Sequence, residues 1–173
     1  SGVYRSDDAG ESWRISSAGM HAANVMAISV DPWSAGSVLA SSAGGGMFKT
    51  ATAGKIWSES RDGLRAFQVT SMQHDPANPR NVYAGTINPF LAGDGSLFKS
   101  SDGGRSWQAL FAQRPVFDVA THPTDSQTVW VGSQTDQFFG DPGMLLSTDG
   151  GTSFNLVSGG RGELQFLDVL GVQ

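Results

Sequence analysis

An all-β fold built from stacked, four-stranded antiparallel units is predicted by three observations. The first is an eight-residue phrase that recurs along the chain. The second is an apolar strand–Pro turn–apolar strand pattern repeated in register with it. The third is a composition of many glycines, few charges and no helical periodicity of useful length.

The recurring phrase reads Ser6-Asp7-Asp8-Ala9-Gly10-Glu11-Ser12-Trp13, then Ser100-Ser101-Asp102-Gly103-Gly104-Arg105-Ser106-Trp107, then Ser147-Thr148-Asp149-Gly150-Gly151-Thr152-Ser153-Phe154. A worn copy reads Thr50-Ala51-Thr52-Ala53-Gly54-Lys55-Ile56-Trp57. The closing aromatics are residues 13, 57, 107 and 154, so the differences are 44, 50 and 47 residues. A period near 45 with strand-like flanks is that of propeller blades. Each phrase suits a hairpin turn. The Asp carboxylate accepts from backbone N–H groups of its own turn, and the Gly two positions later takes positive φ. The Ser before the aromatic bonds locally, and the aromatic opens the next strand with a large apolar face. In the worn copy Thr52 replaces Asp and Ile56 replaces Ser, which predicts a turn with part of its hydrogen bonding lost.

The second pattern runs from Ala27-Ile28-Ser29-Val30-Asp31-Pro32 to Val38-Leu39-Ala40-Ser41, from Ser71-Met72-Gln73-His74-Asp75-Pro76 to Val82-Tyr83-Ala84-Gly85-Thr86, and from Asp118-Val119-Ala120-Thr121-His122-Pro123 to Val129-Trp130-Val131-Gly132-Ser133. One unit therefore has an inner strand, a Pro turn, a second strand, a variable loop, a third strand, the Asp-Gly turn and an outer strand. Residues 1–173 form part of one propeller domain: a partial blade at 1–17, blades at 25–60, 68–111 and 115–157, and the start of another at 164–173. An open arc leaves an apolar face wet at each end. The expected neighbours are therefore the remaining blades of the same ring or another copy.

These phrases resemble the Asp-box, or BNR-repeat, β-propellers, which include sialidases, xyloglucanase-type glycoside hydrolases, sortilin-type receptors and a photosystem II assembly factor. The resemblance spans nearly the whole chain. It implies that the boxes lie at the blade periphery, away from a ligand. Ser6, Asp8, Gly10, Trp13, Gly54, Trp57, Ser100, Asp102, Gly104, Trp107, Ser147, Asp149, Gly151 and Phe154 are then framework residues. It also implies an extracellular or periplasmic bacterial protein.

Composition narrows the partners. The net charge is −5 with scattered basic residues, so neither nucleic acid nor an anionic membrane is an expected partner. No apolar run reaches membrane-spanning length. The absence of Cys removes disulfides and thiolate metal sites. No cofactor and no metal is expected. His74 and His122 read as one turn position repeated by duplication, and His21 stands alone in a loop.

Candidate function gathers in the long second-to-third-strand loops, on the face opposite the Asp-Gly turns. One carries Phe90 and Asp94, and its counterpart carries Asp136, Phe138, Phe139 and Asp141; the first unit has only Ser42-Ala43-Gly44-Gly45-Gly46 there. An aromatic ring stacks on a sugar and a carboxylate accepts from its hydroxyls. The same rings would equally serve as anchors folded back onto their own blades. The function expected is a binding or scaffold module that recognises a protein or carbohydrate ligand. The alternative is a glycoside hydrolase, whose two carboxylates would be Asp136 and Asp141. The Tyr nucleophile and Arg cluster of a sialidase have no counterpart: only Tyr4 and Tyr83 are present, both within repeat strands.

Overall fold

A computed structural model describes residues 2–21, 24–44, 46–66, 68–91, 95–134 and 142–159. Among these residues there is no helix, and fourteen strands form one hairpin and three four-stranded antiparallel sheets. The hairpin is β1 (Tyr4–Arg5) with β2 (Arg14–Ile15). The first sheet runs β3 (Val25–Val30), β4 (Val38–Ser42), β5 (Gly46–Thr50) and β6 (Ser58–Glu59). The second runs β7 (Gln68–His74), β8 (Val82–Ile87), β9 (Gly95–Ser100) and β10 (Gln108–Ala112). The third runs β11 (Val116–Thr121), β12 (Val129–Gln134), β13 (Pro142–Ser147) and β14 (Asn155–Gly159).

Each sheet is a simple meander, so its connections sort by end. In the second sheet Gln68 pairs with Ile87 and Ile87 with Gly95, so β8 ends and β9 begins at the end where β7 enters. His74 pairs with Val82, Val82 with Ser100, and Gln108 with Lys99, so the Pro turn and the Asp-Gly turn share the opposite end. The first strands of neighbouring sheets lie side by side. Ser29 Oγ meets His74 Nδ1 at 2.7 Å, Thr70 donates to the Val116 carbonyl at 2.6 Å, and Thr121 donates to the His74 carbonyl at 3.2 Å.

The eight-residue turns are closed by their own polar groups. At Asp102, Oδ1 accepts from Ser100 Oγ at 2.7 Å and from the Arg105 and Ser106 amides at 2.8 and 2.9 Å, while Oδ2 accepts from Ser106 Oγ at 2.7 Å. Ser100 Oγ in turn accepts from the Gly104 amide at 2.8 Å. Asp8 and Asp149 repeat the bonds to the two serines, with Ser6 and Ser12, and with Ser147 and Ser153. In the worn copy the Thr52 hydroxyl takes the Ile56 amide at 3.1 Å and Thr50 Oγ1 takes the Gly54 amide at 3.2 Å, so a reduced version survives. Two successive residues, not one, sit at positive φ: Ala53 and Gly54 at 53° and 81°, Gly103 and Gly104 at 73° and 85°. The first is left-handed even where it is Ala, at Ala9 and Ala53, where the Asp8 carboxylate closes the one turn and the Thr50 and Thr52 hydroxyls close the other.

That left-handed tip is the point at which one sheet grips the next. Its carbonyl faces the preceding sheet and accepts a cation from it. Arg5 Nη1 reaches the Ala53 carbonyl at 2.6 Å, Lys49 Nζ the Gly103 carbonyl at 2.5 Å, and Lys99 Nζ the Gly150 carbonyl at 2.7 Å. Burial lowers the pKa of both lysines. The closing Trp adds a second grip. Trp57 Nε1 donates to the Ser16 carbonyl at 2.7 Å, and Trp107 Nε1 to the Ser60 carbonyl at 3.0 Å. Their amides donate to Ala18 and Asp62, both at 2.8 Å. A Cβ at Gly19 or Gly63 would stand 2.2 Å from the Trp57 or Trp107 carbonyl oxygen, so only Gly fits there. Trp13 is 63% exposed and donates to its own Gly10 carbonyl, with no sheet before it among the described residues.

Apolar layers fill the spaces between sheets. Leu39 and Met47 meet Met72, Ala84 and Phe98; Tyr83 and Leu97 meet Val119, Val131 and Leu145. Register makes Ile28, Met72 and Val119 equivalent, paired with Ala40, Ala84 and Val131. Met72 and Val119 are buried, whereas Ile28 is 49% exposed between Met26 and Val30, which are also exposed. Burying one such side chain is worth about 1.5–3 kcal/mol.

Two readings of the sequence are corrected. His74 and His122 are not equivalent. The His122 amide donates to the Thr128 carbonyl as the Asp75 amide does to Asn81, so His122 stands at the Asp75 position and Thr121 at the His74 position. The closing aromatics stand one residue before the outer strand, not in it.

Asp102→Ala is expected to lower stability by about 1–3 kcal/mol through lost turn hydrogen bonds, a fall in Tm of about 2–4 °C per kcal/mol, read by thermal unfolding. Hydrogen bonds from Ser12 and Ser6 hold Asp8 at about 2, and those from Ser153 and Ser147 hold Asp149 at about 2, against an ordinary 3.8. At Asp102 burial pushes the pKa up, but the Ser106 and Ser100 bonds outweigh it and the net shift is downward. A depressed folded-state pKa gives stability that is complete above the unfolded value and lost as pH falls through the folded one. Unfolding monitored from pH 5 to 1.5 is therefore expected to show Tm falling mainly below pH 4. Asp149→Asn should flatten that slope; an unchanged slope in this variant would remove the carboxylate from the account.

Candidate functional site

The loop end of the sheets carries the candidate surface. In the β8–β9 connection Asn88 Oδ1 accepts the Phe90 amide at 3.0 Å, and the Leu91 amide donates to the Asn88 carbonyl at 3.3 Å. In this compact turn Phe90 and Leu91 are 85% and 59% exposed. Asp94, Asp136, Phe138, Phe139 and Asp141 lie outside the described residues.

A second feature escaped the sequence reading. The innermost strand of every sheet slips register near its loop end: between Val25 and Ala27, between Val69 and Ser71, and between Val116 and Asp118. Each slip adds one residue, and a bulge re-aims side chains. In β11 the adjacent Phe117 and Asp118 are both exposed while Val116 and Val119 on either side are buried. Asp118 Oδ1 accepts from Ser71 Oγ at 2.7 Å and from the Val119 amide at 2.9 Å. Its Oδ2 has no partner among the described residues. The signal was present in the sequence as apolar residues three apart, Val25 and Ile28, Val69 and Met72, Val116 and Val119, where plain alternation demands two or four.

The histidines do different work. His74 is buried at the sheet interface against Ser29, and burial lowers its pKa, so it remains a neutral structural group. His122 accepts the Thr124 amide at 3.3 Å and lies beside Trp130. Among the described residues no three of His, Asp and Glu converge as a metal site.

At the rim, Phe154 stands where Trp57 and Trp107 stand. It meets Phe111 edge-on at 5.4 Å and makes neither inter-sheet hydrogen bond of those tryptophans. A shallow groove lined by Leu110, Phe111, Arg114, Leu145 and Phe154 results.

No protein-family model matches the chain, and no curated protein sequence does. Among solved structures the chain is similar to an ancestral GH74 enzyme, with 23% identity, a TM-score of 0.72, and coverage of 88% of this chain and 21% of that one. It is similar to the GH74 xyloglucanase of Xanthomonas campestris at 16% identity and a TM-score of 0.65, covering 91% of this chain and 27% of that one. YCF48 bound to a D1 peptide matches at 12% identity and a TM-score of 0.56, with 78% of this chain and 40% of that one covered. The chain thus spans about a quarter of these enzymes and less than half of that YCF48 chain. At these identities the likeness is one of fold: the three sheets are blades of a β-propeller.

Proposed function

We propose that this chain is the blade arc of a ligand-binding β-propeller whose loop end recognises a protein or a glycan. The observation that carries this reading is the outward Phe90–Leu91 pair, held by its own Asn88 turn at the end opposite the Asp-Gly turns. An apolar aromatic kept in water by a structured turn favours a surface that is covered in use. Fold neighbours with both kinds of ligand in their titles, a xyloglucanase and YCF48 bound to a peptide, support the two ligand classes alike.

In this reading the eight-residue turns are Asp boxes and act as frame. Asp94, Asp136, Phe138, Phe139 and Asp141 belong to the same ligand face. Further blades, of the same ring or another copy, cover Met26, Ile28 and Val30. The setting is extracellular or periplasmic. In the alternative reading, a glycoside hydrolase, Asp136 and Asp141 would be the acid pair.

Phe90→Ala combined with Leu91→Ser is expected to leave Tm within about 1 °C, since neither side chain is buried. It should weaken binding by about 2 kcal/mol if Phe90 is an anchor, read by glycan array and peptide pull-down against the unaltered chain. Unchanged binding with both classes would overturn the assignment of this loop. Hydrolysis of a glycan that disappears in Asp136→Asn or Asp141→Asn would establish the enzyme instead.

A further inference from the structure

We propose that the rim seam between the second and third sheets is a docking site for an extended segment of a partner protein, one that carries an aromatic residue next to an acidic one. The site lies along the outer strand β10 and does not rest on the reading of the loop end.

The other two seams show what fills this place elsewhere. Trp107 donates its amide to the Asp62 carbonyl at 2.8 Å and its indole N–H to the Ser60 carbonyl at 3.0 Å, and Ser106 pairs in parallel with Asp62. Trp57 holds Ala18 and Ser16 in the same way. Ser60 and Asp62 follow Trp57 by three and five residues, as Leu110 and Ala112 follow Trp107. Phe154 has no indole N–H to give Leu110, and its amide makes no bond to Ala112.

Two further changes hold the seam open. Gln113 stands at the Gly19 and Gly63 position and keeps their left-handed φ, at 60°. A Cβ at Gly63 would stand 2.2 Å from the Trp107 carbonyl oxygen, so a segment seated as Trp107 is would collide with Gln113. Strain of that kind gathers at binding and switch positions. The linker is also shorter: Val116 comes six residues after Leu110, whereas Val69 comes nine after Ser60 and Val25 nine after Ser16. In the longer linkers Leu64 and Met20 follow the Gly and join the clusters of Trp107 and Trp57; here Arg114 follows Gln113. What remains is a groove of about 330 Å³ walled by Leu110, Phe111, Leu145 and Phe154, with Arg114 on its lining.

These features specify the occupant. β10 is the edge strand of its sheet, five residues long and uncharged, whereas β2 and β6 have two residues each and carry Arg14 and Glu59. Short or charged edges resist an added strand, and a long uncharged one accepts it. The occupant is therefore an extended backbone whose amides replace that of the missing Trp. β14 is equally long, but the groove is lined by β10 and not by β14. The apolar walls take an aromatic side chain, as the equivalent seats take Trp57 and Trp107. Arg114 calls for a carboxylate. Among the described arginines only Arg5 and Arg114 are half-buried, and Arg5 pairs with Asp7 whereas Arg114 has no ion pair. A planar guanidinium held at a groove matches an acidic side chain beside the aromatic one.

The test is fluorescence anisotropy of the chain with a labelled Thr/Val-rich peptide bearing one central Trp-Glu pair, compared with the same peptide bearing Trp-Lys or Ala-Glu. The Trp-Glu peptide is expected to bind with a Kd below about 1 mM, and the other two about tenfold more weakly. Arg114→Gln should weaken the Trp-Glu peptide about tenfold and remove its advantage over Trp-Lys, at the wild-type Tm. Phe154→Trp combined with Gln113→Gly rebuilds the seat of Trp107, so it should abolish peptide binding while Tm rises. Should that double variant fail to fold, Arg114→Gln decides. Bound peptide should also slow amide exchange over residues 108–112. No binding of any of the three peptides, equal binding of Trp-Glu and Trp-Lys, binding that survives in the folded double variant, or protection over residues 86–91 in place of 108–112 would each overturn the proposal.

Discussion

The structure depends on a carbonyl that points the wrong way for its own sheet. At the tip of each eight-residue turn the chain passes through two left-handed residues, and the first of them turns its carbonyl towards the sheet before it. A left-handed residue costs about 1–2 kcal/mol when it is not Gly, and Ala9 and Ala53 bear that strain. The carboxylate of the turn offsets it by gathering up to four donors, and at Ala53 the Thr50 and Thr52 hydroxyls take that place. The cation of the preceding sheet then takes the exposed carbonyl. One turn therefore closes its own hairpin and docks its blade onto the blade before it.

The remaining contacts follow from that docking. With the tip held, the closing Trp falls against the outgoing strand of the preceding blade and donates its indole N–H there, beneath a Gly that leaves room for it. Tyr83 uses the same logic from the apolar layer: its hydroxyl donates to the Gly150 carbonyl that Lys99 also holds, and the Lys99 ammonium lies 5.3 Å from its ring. Where Phe154 replaces Trp the rim opens into a groove, while the Lys99 contact and the apolar layer keep the blades together. Leu146, equivalent to Lys99 by register, carries no charge for a following turn. With the frame fixed at one end of each sheet, the loop end is left to vary: Gly-rich in the first blade, with Phe90 and Leu91 in the second, and Phe117–Asp118 at the axis of the third.

The fold was legible because each signal in the sequence is local. Asp102, Gly104 and Trp107 announce a turn, and Val82 to Thr86 a buried strand, without reference to anything distant. What lay between blades was not legible. Arg5, Lys49 and Lys99 occupy one repeat position before the box Ser or Thr, yet a lysine beside a turn reads as a solvated surface group; only its partner 48 to 54 residues away gives it meaning. His74 and His122 look equivalent because both precede Pro closely, whereas the backbone ladder aligns His122 with Asp75. Asp118 looks like part of a plain apolar strand because a bulge is invisible to a period-two pattern.

The inter-blade cation is a structural group rather than a surface charge, and Lys99→Met measured against Lys55→Met tests this most directly. Both variants remove one positive charge, but Lys55 is exposed and Lys99 is half-buried with its ammonium 2.7 Å from the Gly150 carbonyl. Thermal unfolding is predicted to show Lys55→Met at the wild-type Tm and Lys99→Met lower by about 1 kcal/mol, the size of one net hydrogen bond. Amide exchange should also quicken at Gly150 and Gly151. Equal Tm values for the two variants, with exchange at the turn unchanged, would contradict it.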